Sequence, residues 1–94
     1  MLEKQIEQRF RRRVIESGGL SMKFVSPGFA GVPDRIVLTP GGRVCFVELK
    51  RPGGKVRPLQ ARAFERMRAY GVKVFVVDSE AAIEEFIGEV FADD

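Results

Sequence analysis

The sequence predicts an α/β domain: a mixed four-stranded sheet flanked by helices, in the order αβββαβα. Three observations carry this reading. Apolar residues recur at helical spacing in three separate segments, and four short apolar runs are bounded by Gly and Pro. A helical segment separates the last two strands, and a strand–helix–strand unit of this kind closes as a right-handed crossover with parallel strands.

Residues 2–17 read as a helix, because Leu2, Ile6, Phe10 and Val14 recur every four residues and Gly18-Gly19 stops them. Arg11, Arg12 and Arg13 lie near its end, where cations meet the negative pole of the helix dipole. Residues 20–25 form a short strand, and 26–33 (SPGFAGVP) a loop. Residues 34–39 are a second strand, turned by Pro40-Gly41-Gly42 into a third over 43–50. A basic glycine loop, RPGGKVR, covers 51–57. Pro58 opens a second helix on Leu59, Ala63 and Met67 that ends before Gly71. Residues 72–77 read as an apolar strand of the kind covered on both faces. Ser79 caps a last helix with Ile83, Phe86, Ile87, Val90 and Phe91 as its core stripe. The first three strands can pair as an antiparallel meander. No repeat or linker interrupts the chain, so residues 1–94 are expected to form one domain.

Composition narrows the chemistry. At 94 residues with 45% hydrophobic and 31% charged, the chain can bury one core. It has no His and one Cys, which excludes an intrachain disulfide and a Cys/His zinc cage. Any metal must be held by oxygen, pointing to Mg²⁺, Mn²⁺ or Ca²⁺. The apolar runs are too short for a membrane span and the N-terminus is charged from Glu3, so a cytoplasmic protein is expected. The net charge of +3 hides an asymmetry: residues 74–94 hold seven acids and no cation, residues 1–73 sixteen cations against six acids. A basic body with an acidic C-terminal segment suggests a polyanion-facing surface and a back face turned away from it.

Alternate strand residues share a face, which puts Val44, Phe46, Glu48 and Lys50 on one side of the third strand. Asp34 opens the preceding strand and Glu48 nearly closes this one, so an antiparallel hairpin sets the two carboxylates opposite each other. At about 5 Å and an effective dielectric of about 20, their repulsion is on the order of 3 kcal/mol. A divalent cation would remove that cost, and Lys50 would reduce it. As an isolated feature, Glu48 and Lys50 could be a solvent-facing ion pair, a reading weakened by Val44 and Phe46 on the same face. Cys45 is most simply a small buried hydrophobe.

Pro33-Asp34 followed by Glu48-Leu49-Lys50 resembles the PD-(D/E)xK nuclease signature. The longer frame of Glu3, Gly31-Val32-Pro33-Asp34, Glu48-Leu49-Lys50 and Gln60 resembles the VRR-NUC (virus-type replication-repair nuclease) family over nearly the whole chain. Glu7, four residues from Glu3 on the same helix face, is the alternative for the family's helical acid. The resemblance implies Mg²⁺-dependent hydrolysis of DNA, with Mn²⁺ as a substitute. Asp34, Glu48 and the Leu49 carbonyl would hold the metal, Lys50 would stabilise developing charge, and Glu3 and Gln60 would assist. Arg51, Lys55 and Arg57 are expected to hold phosphates beside the cleavage point, with Arg9, Arg12 and Arg13 as a second contact. Phe29 and Lys23 are candidates for a partner surface. Stand-alone members of the resembled family are similar to archaeal-type junction resolvases and work as homodimers, which implies a dimeric, structure-selective endonuclease of phage or prophage type. The competing class is a nucleic-acid-binding domain that keeps the fold without cutting; an intact acid–acid–lysine set discriminates against it.

Overall fold

The computed structural model describes residues 1–92. Its elements run α1 (Glu3–Glu16), β1 (Leu20–Lys23), β2 (Arg35–Leu38), β3 (Val44–Leu49), α2 (Pro58–Arg68), β4 (Val74–Val77) and α3 (Glu80–Val90). The sheet order is β1-β2-β3-β4, antiparallel across the first two junctions and parallel between β3 and β4. The expected architecture is therefore present, with a mixed four-stranded sheet and the parallel pair on either side of the α2 crossover.

The sheet has two unlike faces. Val37, Cys45, Val47, Leu49 and Val77 face α1 and α3 and form the larger core with Ile6, Phe10, Val14, Ile83 and Phe86. Full burial of Ile6, Phe10 and Val14 is worth roughly 1.5–3 kcal/mol each. Phe86 joins the layers, with the Phe10 ring 5.1 Å away and the Phe75 ring 5.0 Å away, edge-on. On the opposite face Ala63, Phe64 and Val74 make a smaller cluster with Phe46. Helix α2 covers only the β3–β4 side there, so Leu20, Met22 and Val44 remain exposed on the rest of that face.

Three expectations need correction. Leu2 is not part of the buried stripe: it is the exposed N-cap of α1, and its N–H donates to Gln5 Oε1 at 2.7 Å. In α2 the buried face is Gln60, Ala63 and Phe64, while Leu59 is 50% exposed. The helix is rotated by about one residue because Gln60 is drawn inward by polar partners. Strand β4 is covered on both faces only in part, by α2 at Val74 and by α3 at Val77. It lies at the sheet edge, and Val76 is 38% exposed where α2 falls short of it.

Gly31 seats the 26–33 loop on α2. Its φ of +87° favours glycine, and a Cβ there would stand 2.8 Å from the Leu59 carbonyl oxygen. This close approach brings Asp34, three residues later, to the end of the sheet beside the start of α2.

Candidate active site

Extending the β2–β3 register by one pair sets Asp34 directly across from Glu48. The pairing is closed by reciprocal contacts: Asp34 N–H donates to Glu48 Oε1 at 3.1 Å, and Leu49 N–H donates to Asp34 Oδ1 at 3.3 Å. Each carboxylate is thus fixed by the other residue's strand.

Glu48 is 5% exposed, a burial that a carboxylate tolerates only when paired and hydrogen-bonded. Lys50 Nζ lies 3.2 Å from Glu48 Oε2, and Gln60 Nε2 donates to the same oxygen at 3.0 Å. Gln60 Oε1 accepts from Lys50 Nζ at 3.1 Å and from Arg57 N–H at 3.0 Å. These partners set the orientation of the amide. Gln60 therefore does two things at once, capping the first turn of α2 and bridging the lysine to the acid. It also explains the rotation of α2.

A carboxylate offers about four lone-pair sites. Glu48 Oε2 spends two on Gln60 and Lys50, and Oε1 spends one on Asp34 N–H. One remains on Oε1. The Asp34 carboxyl is pushed up to about 6, first by burial and then by the facing Glu48 charge, against the opposing pull of Leu49 N–H and Arg35. Glu3 adds to the rise. Two crowded acids with only oxygen donors fit a hard divalent cation, whose charge would relieve the repulsion. Asp34, Glu48 and the Leu49 carbonyl would be its protein donors. Among the described residues, no three acidic, His or Cys side chains form a metal cage of their own, so the backbone or water would complete the shell.

Helix α1 completes one wall. Glu3, Lys4, Glu7, Asp34 and Leu49 line a cavity of about 210 Å³. Glu7, however, is engaged at 3.0 Å by Arg35, a cation only 4% exposed within β2. Glu3 lies in the first turn, beside Asp34 and outside that pair.

Comparisons with known proteins bear on the family and the fold. Residues 3–81 match the model of the VRR-NUC domain. The chain belongs to the VRR-NUC family. It is 47% identical over 78 residues to "Putative nuclease p44" of Acyrthosiphon pisum secondary endosymbiont phage 1, covering 83% of this chain and 84% of that protein. A solved VRR-NUC domain superposes with a TM-score of 0.83 at 36% identity, covering 90% of this chain and 92% of the other. The fold and the nuclease class of the VRR-NUC domain follow from these matches.

Arg51, Lys55 and Arg57 are exposed on the loop that leaves the site end of β3. The structure does not treat the α1 cations in the same way. Arg9 is ion-paired to Glu80, and Arg13 to Glu84 at 2.7 Å and Glu16 at 3.0 Å. Arg13 holds the Glu84 carboxyl below its ordinary range. The acidic segment is thus not simply a back face: α3 packs along α1 and neutralises two of its arginines. Arg12 is exposed and lines a small hollow with Gln8 and Arg9. Asp93 and Asp94 lie outside the described residues. Sequence reasoning missed the Arg35–Glu7 pair, although Arg35 alternates with Val37 on the face that meets α1. It also missed Arg66, whose guanidinium lies 5.0 Å above the Phe29 ring.

No helix among the described residues is long and apolar enough to cross a membrane.

Proposed function

We propose that this VRR-NUC domain, residues 1–94 acting as one unit, is a Mg²⁺-dependent DNA endonuclease that works as a homodimer on four-way or branched DNA. The observation that carries the reading is the closed network of Asp34, Glu48, Lys50 and Gln60 at facing strand ends. Asp34, Glu48 and the Leu49 carbonyl would hold the cation, with Mn²⁺ able to replace Mg²⁺. When bound, a divalent cation polarises the scissile phosphate and lowers the pKa of a water.

The chain's own groups do the rest. Lys50 Nζ is held by Glu48 and Gln60, so its third donor is aimed without rotamer search at charge developing on the phosphate. Gln60 is a positioning residue acting through Lys50 and Glu48. Glu3, on the wall beside Asp34, would serve as an outer ligand or second-metal partner. Arg51, Lys55 and Arg57 bind flanking phosphates without reading sequence, and Arg12 adds a more distant contact.

Two supports favour a dimer. A four-way junction is two-fold symmetric, and paired nicks require two sites on a matching axis. The exposed Leu20, Met22 and Val44 on the open sheet face supply apolar surface for a second copy. The enzyme would act in the cytoplasm of a bacterial or phage-infected cell.

The test is a labelled four-way junction beside a linear duplex, incubated with Mg²⁺ or with EDTA, with sedimentation run on the same sample. Cutting is expected in Mg²⁺ alone, faster on the junction, by a protein of twice the chain mass. Tight binding without cutting in Mg²⁺ or Mn²⁺ would instead mark a nucleic-acid-binding domain that keeps the fold.

A further inference from the structure

We propose that the hollow between the 26–33 loop and α2 is a subsite for one unpaired nucleotide of the substrate strand, a proposal that rests on the nuclease reading above. Its volume is about 380 Å³, with Phe29, Ala30, Leu59 and Ala63 as apolar walls and Arg62 and Arg66 beside them. This is within the size range of small-ligand sites. Among the described residues, no carboxylate lines it. An apolar slot with two cations and no acid is complementary to a flat base that carries a phosphate.

The slot is organised before any ligand arrives. Phe29 N–H closes a turn onto the Ser26 carbonyl at 3.2 Å, and the half-buried ring packs against the α2 cluster. The Arg66 guanidinium lies 5.0 Å above that ring. Unstacked bases lie against both aromatic rings and guanidinium planes, and this contact is tolerant of base identity. Arg62, one turn before Arg66 on the same helix face, reaches the adjoining phosphate.

Its position ties it to the reaction centre. The loop that carries Phe29 runs into Asp34, and the helix that carries Arg62 and Arg66 begins with Gln60. At 1.5 Å rise per residue, Arg62 and Arg66 stand about 3–9 Å along the helix from Gln60. That distance is about one to three nucleotides at 3.4 Å each. A paired base inside a duplex cannot enter the slot. A nucleotide freed at a branch point or overhang can, so the subsite favours DNA that is unpaired a few nucleotides from the cut.

Anisotropy of a fluorescein-labelled blunt duplex, and of the same duplex carrying a single-stranded 3′ overhang, tests this with the full chain in Ca²⁺. The wild type is expected to bind the overhang about tenfold tighter, the scale of one stacked base. Phe29→Ala, Arg66→Ala and the pocket-filling Ala30→Trp should bring the ratio of the two dissociation constants towards one. Arg51→Ala should weaken both DNAs in proportion. Arg66 and Ala30 are exposed, so thermal melts of those variants should match the wild type. A wild type without preference, or a preference that survives Arg66→Ala and Ala30→Trp, overturns the subsite. Absence of both binding and Mg²⁺-dependent cutting would fail the nuclease reading itself, whereas normal cutting with an unchanged ratio fails only the subsite.

Discussion

Asp34→Asn should stabilise the metal-free protein while removing its response to Mg²⁺. In the folded chain the Asp34 carboxyl sits at about 6, against an ordinary value of 3.8. A shift of that size corresponds to at most about 3 kcal/mol at 1.36 kcal/mol per unit. The group is only half-buried, and solvent screening brings the figure to about 1–2 kcal/mol. The folded state holds this proton more tightly than the unfolded state does. Stability therefore falls as pH rises from about 4 to about 6, and the penalty is complete above that window. Asn removes the charge and keeps an oxygen for Leu49 N–H, the contact now 3.3 Å long. Thermal unfolding in EDTA at pH 7.5 should show a gain of about 5–10 °C for the variant, shrinking to nothing near pH 4. Saturating Mg²⁺ should raise the wild-type midpoint by about 3 kcal/mol in equivalent stability at a hundredfold excess over Kd, and the variant's far less. A variant that is less stable than wild type in EDTA, or that gains equally from Mg²⁺, would refute the reasoning.

Phe10→Ala, which empties a fully buried site against Phe86, should cost about 3–5 kcal/mol in urea unfolding. Glu7→Ala leaves the buried Arg35 without its carboxylate and should cost about 1–3 kcal/mol, most of it recovered in the double variant Glu7→Ala with Arg35→Met. The Cys45 thiol is pushed up to about 11 by burial, so at pH 8 it should resist a thiol-reactive probe until the protein is unfolded in denaturant. Rapid labelling of the native protein would contradict that burial.

Much of the architecture is readable from local pattern. Four-residue apolar spacing places α1 and α3, and Gly-Pro boundaries place the strands. The facing of Asp34 and Glu48 follows from alternation plus one antiparallel turn, both short-range. What escaped depends on contacts between distant segments. Residues 58–67 offer two overlapping helical stripes, through Leu59 or through Gln60, and only the polar partners across the sheet decide between them. The engagement of Arg9 and Arg13 by Glu80 and Glu84 spans 71 residues and requires knowing that α3 docks on α1. Val76 looks like a core residue in the chain, and its exposure follows from the edge position of β4.

The most direct measurement is the single-turnover cleavage rate of Glu48→Ala in Mg²⁺, taken with its DNA dissociation constant. Losing the residue that holds Asp34 N–H, Lys50 and Gln60 together should cut the rate by about a thousandfold or more, the scale of removing a preorganised transition-state contact, while binding changes only a few-fold. A Glu48→Ala protein that cleaves as fast as wild type would mean that hydrolysis occurs elsewhere on the molecule.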